Sequence, residues 1–329
     1  MDPVTHTLTG LALARSGLAR RTALGTLVLV AGANLPDLDA LAYFAGPGAD
    51  LHWRRGWTHG VPALVVLPFL LTGTVLLLDR LLHRLRRAAL PSAVRPGQVL
   101  FLSALSVLTH PVLDTLNTYG VRWLMPFDGT WYYGDALFIV DPWVLLVLGI
   151  GLLVARRRRR LREFNLDLER PARLALAAAL GYAALMAASG MAARSLVRRE
   201  LDGAGGSPRP VERLMVGPMP ATPFRRQVVA VQGDEYRTGD FRWLGSPHLD
   251  PATVRTWPRP GAADPALAAA RRHETGRRFL AWARFPVAAI DSAAAGGPVV
   301  RVVDLRYASP DEVDPRREGF AAITLPLAP

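Results

Sequence analysis

The sequence predicts a mainly α chain: a polytopic helical membrane domain of about six spans, followed by a small α+β or mainly-β soluble domain. Three observations predict it. Half of the residues are hydrophobic and the mean hydropathy is +0.19, yet the net charge is +12. The two agree if apolar runs sit in lipid and charge gathers between them. Apolar runs do alternate with arginine-rich stretches as far as Ala193, and from Arg198 the composition changes. Gly203–Pro210 reads as a linker, and strand-like stretches follow it. The expected boundaries are a helical domain over 1–197, a linker over 198–210 and a soluble extracytoplasmic domain over 211–329. There is no cysteine, so a metal would need nitrogen and oxygen ligands.

In chain order, Asp2 and Pro3 form an N-cap and first helical position, and the helix they open runs to about Ala19 with His6 in its first turn. Its acidic start is unlike a secretory signal. After Arg20 and Arg21, a short apolar run over Thr22–Ala33 leads to Leu35-Pro36-Asp37-Leu38-Asp39, a turn by its proline. His52-Trp53-Arg54-Arg55-Gly56-Trp57-Thr58-His59-Gly60 combines interfacial tryptophans with basic residues and imidazoles. Val61–Leu78 is uncharged and spans about 27 Å as a helix. The basic loop over 79–97 follows, then the span from Val99 to Leu116. Within that span His110, Asp114 and Asn117 fall at i, i+4 and i+7, one stripe of an otherwise apolar helix. Three polar groups there are costly unless paired or bound to something. Pro111 predicts a bend beside His110.

An aromatic loop with Trp123, Trp131, Tyr132 and Tyr133 precedes a span over Ala136–Ala155, with Asp141 a further candidate for the site and Asp135 a helix cap. Arg156–Arg160 reads as a cytoplasmic anchor. Ala172–Ala193 is the last span. Beyond the linker, Gln227–Gln232, Tyr236–Leu244, Val299–Tyr307 and Phe320–Leu325 read as strands of one small antiparallel sheet, and Asp264–Trp282 as its one helix. His248 and His273 read as ordinary surface histidines.

Arginines alone set the orientation. Arg20-Arg21, the 79–97 loop and the 156–173 loop belong on the cytoplasmic side. Six alternating spans then put His6, Asp37, Asp39, His59, His110, Asp114 and Asn117 on the opposite face, together with the soluble domain. The expected place is the inner membrane, multi-pass. Three imidazoles and up to three carboxylates suit two divalent ions, zinc first, with manganese or iron as alternatives. Such a pair can hold both oxygens of a phosphoester displacement. Arg54 and Arg55, with Asn117, would meet an anionic substrate, and the aromatic rim favours a membrane lipid or lipid-linked one. Asp37, Asp39 and Arg55 are the catalytic candidates, one of the two aspartates orienting or deprotonating water.

Thr5-His6-Thr7-Leu8-Thr9-Gly10, Leu35-Pro36-Asp37-Leu38-Asp39, Arg55-Gly56-Trp57-Thr58-His59-Gly60 and His110-Pro111-Val112-Leu113-Asp114 with Asn117-Thr118-Tyr119-Gly120 resemble the YdjM-like family of bacterial inner-membrane, metal-dependent hydrolases. A more distant resemblance is to zinc-dependent phospholipase C and P1-type nucleases, whose ligand order implies His6, one of Asp37 and Asp39, His59, His110 and Asp114 as metal ligands. The later His and Glu motif of those enzymes is missing, which implies two metals rather than three. The expectation is a membrane-bound phosphoester hydrolase using metal-activated water. The alternative is a non-catalytic membrane protein that binds a head group or a metal and recruits a partner. A transporter is disfavoured because the polar residues gather at one face and no paired repeat is visible. No nucleic-acid partner is expected, because the basic loops lie on the other side.

Overall fold

A computed structural model describes residues 1–45, 49–86, 93–161, 167–203, 209–294, 297–312 and 321–327. Parts of the 79–97 and 156–173 loops, of the expected linker, and Phe320 lie outside the described residues. The N-terminal half is mostly helical and the C-terminal part sheet-rich. Contacts divide the chain into one unit of Met1–Ala40 and Trp53–Ala187 and a second of Leu41–His52 and Ala188–Pro329.

The first unit begins with α1 (Pro3–Arg15), capped by the Asp2 carboxylate, which accepts from the Val4 and Thr5 amides. Pro3 occupies the first turn, where a missing N–H leaves no helical bond unmade. The helix stops short of the expected Ala19. The run after Arg21 forms α2 (Gly25–Asn34), which continues without a break into a 3₁₀ helix over Leu35–Ala45. A turn is expected at Pro36. Leu35 is instead helical (φ −58°, ψ −38°), and Pro36 sits in the first turn of the tighter helix, where its absent donor is again harmless.

After the short α3 (Ala49–Trp53) come α4 (Val61–Arg86), α5 (Pro96–Thr115), α6 (Pro142–Arg160) and α7 (Arg170–Gly203). Among the described residues, three helices are long and apolar enough to cross a membrane: α4, α5 and α7. α1 and α2 are shorter, and α6 ends in the arginine run. Pro111, where a bend is expected, does not interrupt α5, which runs through it to Thr115. The Thr109 hydroxyl donates to the Ser106 carbonyl and that of Thr115 to the Pro111 carbonyl.

Two apolar clusters hold the unit. One joins α1, α2, α4 and α5 through Ala14, Val28, Leu29, Leu71, Val75, Val99 and Leu102. The other joins α1, α6 and α7 through Ala12, Val144, Leu148, Ala175 and Met186. Gly10 lets α1 lie directly on α2: a Cβ there would come within 2.7 Å of the Leu29 carbonyl oxygen.

In the second unit, α7 reaches Gly203, past the start of the expected linker, and Ala193, Val197 and Leu201 pack with Val211, Leu214 and Phe241. One sheet and one helix are expected, whereas the described residues form two antiparallel sheets and two helices beyond α7. The first sheet runs β1 (Arg213–Met219), β2 (Thr222–Gln232), β3 (Glu235–Arg242) and β4 (His248–Leu249), with β5 (Arg255–Pro258) also on β3. The second is β6 (Pro286–Asp291), β7 (Val299–Asp304) and β8 (Ala322–Pro326). The expected helix is broken at extended His273 into α8 (Pro265–Arg272) and α9 (Glu274–Trp282). β7 ends at Asp304 because its buried carboxylate turns the chain, accepting from the backbone N–H groups of Arg284 and Arg306 and from the Arg306 guanidinium.

Candidate metal centre

The sequence stripe on α5 projects inward as expected. His110, Asp114 and the following Asn117 are all fully buried. α1 brings His6 to them, the 3₁₀ segment brings Asp37, and the loop before α4 brings His59. Asp37, His59, His110 and Asp114 each offer one ligand atom, and those atoms all lie within 4.8 Å of one another. His59 Nε2 is 3.3 Å and His110 Nε2 3.7 Å from Asp114 Oδ2. His110 Nε2 is 3.6 Å from Asp37 Oδ1.

The other ring nitrogens decide what these contacts are. His110 Nδ1 lies 2.7 Å from the Ala33 carbonyl oxygen, which can only accept, so the proton is on Nδ1. The Thr58 hydroxyl donates to Asp39 Oδ2 at 2.7 Å and lies 2.9 Å from His59 Nδ1. Its one proton is spent on the carboxylate, so the His59 proton is on Nδ1 as well. With each ring neutral, Nε2 presents its lone pair toward carboxylate oxygens. Among the described residues, neither Nε2 has a hydrogen-bond partner. Burial, with the nearby His110 and Arg55, holds the His59 imidazole well below its ordinary pKa, hence neutral. Converging lone pairs without a proton between them repel, and a cation is what reconciles them. The donor set thus fits a divalent ion.

His6 stands beside this set. Its ring stacks on His110 at 3.7 Å, and its Nε2 is 3.4 Å from Asp114 Oδ1, the carboxylate's other oxygen. The Met1 amine also pairs with Oδ1. Asp37 and Asp39, left open by the sequence, separate: the Asp37 carboxylate joins the four-residue set. Asp39 accepts from the Arg55 amide and Thr58 instead. Burial pushes the Asp39 carboxyl up against those two bonds. Burial alone would also raise Asp37, but its contact with His110 and the charges around it reverse the shift and lower it.

Arg55 is buried. Its Nε is 3.0 Å from Asp114 Oδ2, one terminal nitrogen donates to Oδ1 at 3.2 Å, and the other donates to Asn117 Oδ1 at 3.1 Å. Its guanidinium lies over the Tyr119 ring at 4.4 Å. Arg54 is half-buried, 5.8 Å from the same ring, and its carbonyl accepts from Arg122. Asp141 is not part of the cluster; it caps α6 through the Trp143 and Val144 amides. Asp135 lies in a loop at φ 50° rather than capping a helix. Sequence reasoning missed Thr58, the Ala33 carbonyl and Tyr119. Thr58 stands next to His59, and that adjacency is the one signal available.

A family model for the YdjM inner membrane protein family matches residues 1–195, and the chain belongs to that family. It is 24% identical over 157 residues to "Uncharacterized protein YfhP" of Bacillus subtilis (strain 168), an alignment covering 44% of this chain and 43% of that one. No solved structure matches, so the likeness to phospholipase C and P1-type nucleases rests on ligand order alone.

Proposed function

We propose, with membership of the YdjM family as the premise, that this chain is a membrane-embedded, metal-dependent hydrolase acting on a phosphoester, with a lipid-linked ester as the substrate class. The observation that carries the reading is the convergence of the His59 and His110 Nε2 atoms on the Asp37 and Asp114 carboxylates, the four ligand atoms all within 4.8 Å of one another. Asp37, His59, His110 and Asp114 would hold one ion, and His6 with Asp114 Oδ1 offers donors for a second; zinc, manganese or iron suits such donors. A divalent ion supplies Lewis acidity there, withdrawing charge from a phosphoryl oxygen and acidifying water.

The chain's own residues do the rest. Arg55 grips both oxygens of Asp114 and fixes the carboxylate's plane. Asp39 acts through Thr58 and the Arg55 amide as a positioning residue, keeping the His59 ring turned inward. Asp37 is the most exposed of the four donors, its side chain 17% accessible, and for that reason is the residue we assign to accept a proton from incoming water. Arg54, half-buried near the Tyr119 ring, is the cation we assign to substrate charge. The topology we propose has six crossings (α1, α2, α4, α5, α6 and α7), arginine-rich ends in the cytoplasm, and the cluster on the far side.

Metal analysis of purified protein, wild type against His59→Ala combined with His110→Ala, tests the centre. The expected result is loss of bound metal in the double variant; equal metal in both would overturn it. If the wild type retains metal but hydrolyses no phosphomonoester or phosphodiester presented in lipid, the non-catalytic reading stands in place of the enzyme.

A further inference from the structure

A groove of about 550 Å³ lies between α6 and α7, away from the metal centre. Its wall is apolar: Val147, Ile150 and Val154 come from α6 and Leu174 and Ala178 from α7. Ile150, Val154 and Leu174 are exposed. At one end stand two arginines, Arg158 near the end of α6 and Arg170 at the start of α7. Among the described residues, the Arg158 guanidinium has one acceptor, the Asp167 carbonyl at 3.4 Å. Of the acids that follow in sequence, Asp167 accepts from the Arg170 amide and pairs with Arg173, Glu169 pairs with Arg173 and Arg20, and Glu163 lies outside the described residues.

The length of the groove is informative. From Val147 to Arg158 the helix rises about 16 Å, close to the depth of one hydrocarbon leaflet, about 15 Å. An occupant must therefore be apolar for one leaflet's depth and anionic where the arginines stand. We propose that this groove is a binding site for an anionic phospholipid, its phosphate between Arg158 and Arg170 and an acyl chain along Ile150, Val154 and Leu174. A free anion would use the arginines and leave the apolar wall bare. A neutral lipid would bring no net negative charge to the two arginines at the leaflet boundary. The inference rests on membrane family membership and not on hydrolase activity.

The test is native mass spectrometry of the full chain in detergent, equilibrated with equal amounts of phosphatidylglycerol and phosphatidylcholine. The wild type is expected to retain phosphatidylglycerol. Arg158→Ala with Arg170→Ala should lower its ratio to phosphatidylcholine about thirtyfold, the effect of two arginines near a membrane surface. Arg157→Ala with Arg160→Ala removes as much charge from the same run outside the groove and should leave the ratio unchanged. Equal losses in the two pairs would reduce the effect to general attraction and overturn the site. Ala178→Trp keeps every charge and fills the groove; retention of phosphatidylglycerol in that variant would also overturn it, and it decides the matter if the arginine pair fails to fold. Displacement of the lipid by inorganic phosphate alone would show an anion site and overturn the lipid assignment.

Discussion

The ring nitrogens that face away from the cluster do as much as those that face into it. His110 is oriented by a main-chain carbonyl and His59 by a hydroxyl that itself leans on Asp39. Outer partners of this kind are worth roughly 10–100-fold in metal affinity when removed. Asp39→Asn should therefore weaken metal binding by about that factor while leaving all four donors in place, as a competition titration with a chelator would measure. An unchanged affinity would mean that Thr58 alone fixes the ring. The spacing of His110 and Asp114 was legible in the sequence because four residues return to the same face of a helix. The Ala33 carbonyl was not, since a main-chain oxygen carries no residue-type signal and its position depends on how α2 crosses α5. Asp37 and Asp39 could not be ranked either, because their neighbours come from distant parts of the chain, His110 on α5 for Asp37 and the Arg55–His59 loop for Asp39.

At the level of elements, the helices were legible and their ends less so. Uncharged runs marked α4 and α5, whereas Pro36 suggested a turn that is instead helical, and Pro111 does not interrupt α5. β1 escaped notice because Gly217 and Pro218 interrupt its apolar pattern, although it pairs along β2 from Arg213 to Met219. The contact of α1 with α2 has a direct consequence for the centre, since Gly10 lies one turn beyond His6 on the same helix. Gly10→Leu should cost about 1–3 kcal/mol by overpacking and shift His6 off Asp114. A lowered melting temperature together with reduced metal content is expected, and a variant with normal values of both would show that the helices can part without disturbing the site.

For the whole molecule, the proposed six crossings make a prediction that the absence of cysteine renders easy to read. Asp128→Cys, in the loop before α6, should react with a membrane-impermeant maleimide on intact spheroplasts, while Arg157→Cys should react after lysis alone. The reverse pattern would invert the orientation, and labelling of both from outside would refute the alternation. The composition change near Arg198 was a legible sign of a second body, but its edge was not, because α7 continues through it and gives Ala193, Val197 and Leu201 to that body's core. The orientation of the two imidazoles has one more consequence. Because both rings are aimed by uncharged protein groups, the pocket is set before any ion arrives and offers two nitrogens and two oxygens without regard to which metal is near. Such a set follows the general order of stability, in which copper(II) outranks zinc, iron and manganese. The occupant would then be chosen by what the surrounding compartment supplies, and copper excess would be expected to poison this protein by mismetallation.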